Sequence, residues 1–94
     1  MIRLNVFLTL KEGVTKDQIL AITDELVEKS RQDEGCVAYD FFQSTTKPEV
    51  FMFCETWQSA EALDKHSQTP HFLSAVPALG ELTVGEMKIE SFDN

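Results

Sequence analysis

The chain has 94 residues, the length of one domain, and at this size about 60–70% of the unfolded surface is buried, enough for one core and not two. Apolar types make up 43% of it, so it is globular rather than disordered, while sixteen Asp and Glu against eight Lys and Arg give a formal net charge of -8. That balance leaves no basic stripe for nucleic-acid phosphates and argues against anionic membrane surfaces as partners.

No apolar run approaches the roughly 20 residues that cross a bilayer, and residues 1–6 alternate with polar types, unlike a signal peptide. Cys36 and Cys54 are the only cysteines and read as free thiols, so a reducing, cytoplasmic setting is expected. There is no C-x-x-C pair, phosphate-binding glycine loop or internal repeat.

Residues 3–10 alternate, with Leu4, Val6, Leu8 and Leu10 on one side and Arg3, Asn5, Phe7 and Thr9 on the other, which predicts a strand. Thr15 with Gln18 forms a capping-box pattern. It opens a helix whose inner positions are Ile19, Ile22, Thr23, Leu26, Val27 and Ser30. Gly35 is expected as its left-handed C-terminal cap. Residues 36–43 and 50–57 are rich in β-formers around a polar turn and predict a hairpin.

Ser59 is placed to cap a second helix, with Ala62, Leu63 and His66 inward. Residues 68–70 break and restart it, with Thr69 as cap and Pro70 in the first turn. Pro77 predicts a kink or an end near Val76. A last strand is expected within residues 82–92, with Met87 and Ile89 as its clearest apolar pair.

The order is βαββαβ, an α+β ferredoxin-like domain over residues 1–94, with a four-stranded antiparallel sheet and helices on one face. Residues 50–57 are apolar on both faces, and helices cover only one. The second face is expected to be covered by another copy of the chain, making a homodimer.

Four motifs then stand in order: Gly35-Cys36-x-x-Tyr39, Glu55-Thr56-Trp57, Leu63-x-x-His66 and Thr69-Pro70-His71-Phe72. Together they resemble the antibiotic biosynthesis monooxygenase family, which includes small cofactor-independent quinol monooxygenases. The resemblance implies a dimeric α+β barrel with a pocket between sheet and helices. It also implies oxidation of phenolic or polycyclic compounds by molecular oxygen, with no flavin, metal or haem. A deprotonated hydroquinone can itself pass an electron to oxygen, so the protein must supply a base, an apolar cavity and orientation.

His66 is the first candidate base, since imidazole titrates near neutral pH; the competing reading is a histidine satisfied within the core. Glu55 matches the family's E-x-W pattern. It would orient His66 or bind a substrate hydroxyl, or else serve as a structural carboxylate. Asn5, placed on the helix-facing side of the first strand, resembles an asparagine of the superfamily's haem-degrading branch. That branch needs a haem-ligating histidine where this chain has Val76. His71 suits a neutral hydrogen-bonding role at a helix start. Phe7, Tyr39, Phe41, Phe53, Trp57, His71, Phe72 and Val76 would line the pocket, with at least half of the aromatics simply core. His66 and His71 are five apart with Pro70 between them, not the i, i+4 pair of one helical face, so no metal site is expected.

Two other functions fit the same residues. The stretch from His66 to Leu73 also resembles the branch that processes a phosphorylated autoinducer-2 sugar by isomerisation, although Arg3 is the only basic residue near the expected pocket. The domain would alternatively be a dimeric binding or stress-response module without a reaction.

Overall fold

The computed structural model describes residues 1–93. Its elements are β1 (Ile2–Thr9), α1 (Lys16–Ser30), β2 (Cys36–Gln43), β3 (Val50–Trp57), α2 (Ala60–His66), α3 (Pro70–Leu82) and β4 (Lys88–Asp93). The strands form one antiparallel sheet in the order β2-β3-β1-β4, the ferredoxin-like arrangement. Among the described residues no helix is long and apolar enough to cross a membrane.

Register assigns the faces. Directly paired residues of antiparallel strands share a face. Val6 pairs with Phe53 and Phe53 with Phe41; Leu4 pairs with Glu55 and Glu55 with Tyr39; Leu8 pairs with Phe51. This face carries the buried side chains Leu8, Tyr39, Phe51, Phe53 and Trp57, which pack with Ile19 and Leu26 of α1 and Leu79 of α3. The opposite face brings Asn5 against Cys54, Phe7 against Met52, and Phe42 against Met52 from the other side.

Asn5 and Phe7 therefore lie on the face away from the core, not on the helix side where a pocket was expected for them. The physical reason is period two: Leu4, Val6 and Leu8 claim the inner side, so the alternate residues must face out. On the outer face Phe7 sits under the Lys88 ammonium, 6.0 Å from the ring centre.

Helix α1 begins as its sequence implies. Thr15 Oγ1 accepts from Gln18 N–H, and Gln18 Oε1 accepts from Thr15 N–H at 2.8 Å. Its end differs. Arg31 caps it in a right-handed conformation, so Gly35 is not the cap. Gly35 instead turns the chain into β2 at φ +80, and a Cβ there would come within 2.4 Å of the Ala62 Cβ. It is glycine because α2 passes close over it.

Two further boundaries differ from expectation. Helix α3 does not end near Val76, one of the two outcomes expected of Pro77, but runs through it to Leu82. Pro77 is exposed and so is Leu73, four residues earlier, so the carbonyl left without its usual donor is on the wet side. The final strand starts only at Lys88. Thr83 bridges to Leu10, and Met87 packs against the core from outside any strand. β4 is an edge strand beyond the helices' cover, so Ile89 is 63% exposed although it shares the inner face with Val6.

Candidate active site

The α2–α3 break organises the site. Ser59 caps α2, accepting from Ala62 N–H at 3.1 Å, and His66 is the last helical residue. Thr69 then works in both directions. Its hydroxyl donates to the His66 carbonyl at 2.8 Å and accepts from Phe72 N–H, opening α3. With Pro70 at the first helical position, the chain folds back, and the His66 and His71 rings lie 6.0 Å apart.

A third residue joins them. Asp33 sits in the turn between α1 and β2, held by Asp33 N–H to the Ser30 carbonyl and Cys36 N–H to the Asp33 carbonyl, both at 3.1 Å. Its Oδ2 lies 2.8 Å from His66 Nδ1 and 2.8 Å from His71 Nε2. A carboxylate only accepts, so both rings donate: His66 from Nδ1 and His71 from Nε2. The two histidines do not share one helical face, as their spacing implied, yet both reach the same oxygen because residues 67–69 between them are not helical.

His66 is enclosed. Its ring centre is 4.5 Å from that of Trp57, 5.2 Å from Phe72, which meets it edge-on, and 5.5 Å from Tyr39. The side chain is 1% exposed. Burial lowers its pKa, with the Asp33 hydrogen bond and charge opposing, so the neutral ring is favoured. A neutral ring that donates from Nδ1 has a bare lone pair on Nε2, and that atom is buried with no hydrogen-bond partner. His71 is only partly buried and lines a hollow of about 390 Å³ between α1 and α3, beside Glu25, Lys29, Pro70 and Ser74.

Glu55 is also buried, at 5% exposure, but its bond is to Trp57, whose Nε1–H donates to Oε1 at 2.9 Å. The group that orients His66 is Asp33 rather than Glu55. Burial pushes the Glu55 carboxyl up to about 7, with the Trp57 hydrogen bond acting the other way. Burial likewise raises the Tyr39 hydroxyl well above its usual range, so it stays a neutral phenol.

The expected site residues thus divide. His66, Trp57, Tyr39, Phe72 and His71 form one cluster. Glu55 touches it through Trp57. Phe53 and Phe41 continue the aromatic packing along the sheet, with Phe41 at 4.5 Å from Phe53 and stacked at 5.2 Å on Phe51. Val76 is 40% exposed on α3. Asn5 and Phe7 stand on the other side of the sheet.

Asp33 escaped the sequence reading. Its only signal was its place two residues before the Gly35-Cys36 pair, where an acidic residue reads as an ordinary turn. Asp33, His66 and His71 also form a group with metal-ligating atoms close together, all within 4.8 Å of one another.

Fold and site define a ferredoxin-like α+β domain with a buried histidine held by an aspartate. The chain belongs to the antibiotic biosynthesis monooxygenase family, whose model matches residues 1–78. A crystal structure from Bacteroides thetaiotaomicron, described as a conserved protein of unknown function and possible oxidoreductase, is 46% identical with a TM-score of 0.87, covering 97% of this chain and 94% of that one. A crystal structure of an antibiotic biosynthesis monooxygenase is 33% identical with a TM-score of 0.92, covering 100% of this chain and 98% of that one. The uncharacterized protein sll1783 of Synechocystis is 32% identical over 77 residues, 82% of this chain and 52% of that protein. The chain spans about half the length of that curated relative.

The Glu55 environment gives a stability prediction. In the unfolded chain the carboxyl ionises near 4.5, whereas in the fold it keeps its proton until about 7. Between those values the folded state holds the extra proton, so stability falls as pH rises and levels off above 7. Glu55→Gln keeps an oxygen for the Trp57 N–H and abolishes the titration. Denaturant unfolding should show native protein losing roughly 3 kcal/mol relative to the variant between pH 4 and pH 8. Parallel curves would mean that the Glu55 carboxyl is solvated.

Proposed function

We propose that this chain is a cofactor-independent monooxygenase acting on a quinol-like, phenolic or polyketide-type aromatic compound. The observation that carries the reading is the bare, buried Nε2 of His66, backed by a carboxylate on Nδ1. This is the arrangement of a general base: the acceptor nitrogen is free, and Asp33 stabilises the imidazolium that forms. The hydroquinone's hydroxyl proton moves to Nε2. The electron-rich anion reduces oxygen by one electron, the two radicals combine, and loss of water leaves the hydroxylated quinone. One dioxygen enters, one oxygen atom is retained and one leaves as water.

Asp33 acts through His66 and is a positioning residue. Trp57, Tyr39 and Phe72 give the apolar surroundings that a flat aromatic substrate fills. Trp57 and Tyr39 are fully buried, whereas Phe72 is half-buried, so a substrate would have to displace Phe72 to reach Nε2. Glu55 presents a second buried carboxyl next to Trp57 for a substrate hydroxyl.

Oxygen uptake with a panel of hydroquinones, naphthohydroquinones and anthrones tests the reading. Native protein should consume oxygen with at least one of them, and His66→Ala should lose that uptake at least a hundredfold. Asp33→Asn should lower kcat tenfold or more with KM little changed, and Asp33→Glu should restore part of it. No turnover across the panel, or full turnover in His66→Ala, would remove the assignment. The 1% exposure of His66 favours a second reading, a non-catalytic binding module. A ligand that raises Tm without being consumed would support it.

The working unit in this reading is a homodimer formed through the outer sheet face. That face carries Phe7, Val50, Met52 and Cys54, with Phe42 and Phe92 about half exposed at 51% and 49%. A monomer seldom leaves so continuous an apolar strip wet. Light scattering at micromolar concentration should give twice the chain mass, and Met52→Glu should shift it towards the monomer. A native monomer would exclude this assembly.

A further inference from the structure

The Asp33 cluster supports a second chemistry that the sequence spacing argued against. We propose that Asp33 Oδ2, His66 Nδ1 and His71 Nε2 form a binding site for a divalent transition-metal ion of the zinc class. Three observations carry it.

The first is the donor set. Two imidazole nitrogens and one carboxylate oxygen, all within 4.8 Å of one another, suit zinc, cobalt or nickel and not magnesium or calcium, which take oxygen ligands. The second is support. Each donor comes from a different, capped piece of backbone: the turn after α1, the end of α2 tied by Thr69, and the first turn of α3. The side chains are 16%, 1% and 13% exposed for Asp33, His66 and His71, so they are already largely ordered by packing. The third is access. His71 lines the 390 Å³ hollow between α1 and α3, so one of the three ligand residues opens to a space that solvent can enter.

The dimensions are close to what an ion needs. Zinc–nitrogen bonds of about 2.0–2.1 Å in a tetrahedral site put neighbouring ligand atoms about 3.3 Å apart. The two nitrogen-to-oxygen separations are now 2.8 Å, each filled by an N–H, and the ligand atoms lie within 4.8 Å of one another, so the two nitrogens must also settle at the ion's spacing. An ion would take the place of those two protons, widening each nitrogen-to-oxygen gap by about half an ångström while the two rings turn to bring their nitrogens to about 3.3 Å. Each neutral imidazole keeps its single proton, which moves to the nitrogen that does not hold the ion, so the two rings release none, and Asp33 supplies the one negative charge among the three ligands.

Occupancy has a consequence that rests on the proposed function. An ion on Nδ1 requires the His66 proton on Nε2, so the metal-loaded protein has no free lone pair to act as base. The site would then be inhibitory, a metal-dependent off state of the same histidine.

The test is titration of the native protein with Zn2+ alone, followed by calorimetry in buffers of different ionisation enthalpy and by Tm, and with Co2+ followed by visible absorbance. One ion should bind per chain, and at a pH where the two rings are neutral the heat should not depend on the buffer. Tm should rise, and Co2+ should give the strong visible bands of a tetrahedral site. Asp33→Asn and His71→Gln should each weaken binding tenfold or more, whereas Glu25→Gln at the rim should change it little. As both variants could perturb packing, native histidine nitrogen spectra give a separate readout: Zn2+ should shift His66 Nδ1 as a metal-bound nitrogen. No saturable one-to-one binding, binding equally strong in Asp33→Asn, or an unshifted Nδ1 would overturn the site. Oxygen uptake separates the two proposals. Zn2+ bound at Nδ1 with uptake unchanged would contradict His66 as base and leave the site standing.

Discussion

One carboxylate oxygen ties three segments of this fold together. Asp33 Oδ2 receives N–H groups from His66 and His71, and so fastens the turn after α1 to the point where α2 gives way to α3. A buried carboxylate is costly unless it is hydrogen-bonded, and a buried imidazole is costly unless its protons are placed. Each group here meets the other's requirement. The exchange is complete on the Asp33 side and incomplete on the far side of the His66 ring, where Nε2 has no partner. Among the described residues only Ser30 Oγ shares this condition, and a ring nitrogen left unsatisfied amid aromatic packing invites a functional account.

The aromatic core gives the atom its character. Trp57, Tyr39 and Phe72 surround His66 and favour its neutral form, while Asp33 fixes which nitrogen carries the proton. Glu55, two residues before its hydrogen-bond partner Trp57 on β3, is kept from easy ionisation by the same burial. Two titratable groups thus sit in one apolar region, and each differs from its behaviour in water.

The fold was largely legible because it rests on periodicity and caps. Alternation in β1, the β-forming composition of β3, the Thr15–Gln18 box and the Thr69-Pro70 restart are local signals, and each element formed where they pointed. The errors came where a local rule met its surroundings. Pro77 lies on the wet side of α3, so its missing bond broke nothing, and Gly35 answers to the close passage of Ala62 rather than to the end of α1. Asn5 was misplaced because its polarity suggested a pocket, while the leucines beside it dictated the face. The site was legible only in part. His66 could be picked from its helical face and motif, but Asp33 is 33 residues away in sequence and meets it through tertiary packing alone. The turn at residues 67–69 likewise brought His71 to the same oxygen, which no spacing rule for a single helix could show.

The account stands on the protonation pattern of His66, and long-range nitrogen–proton NMR of the histidine rings at neutral pH reads it directly. It predicts a neutral His66 with the proton on Nδ1 and an Nε2 resonance characteristic of a bare nitrogen, with the pattern lost in Asp33→Asn. A proton on Nε2, or a ring charged at neutral pH, would contradict it.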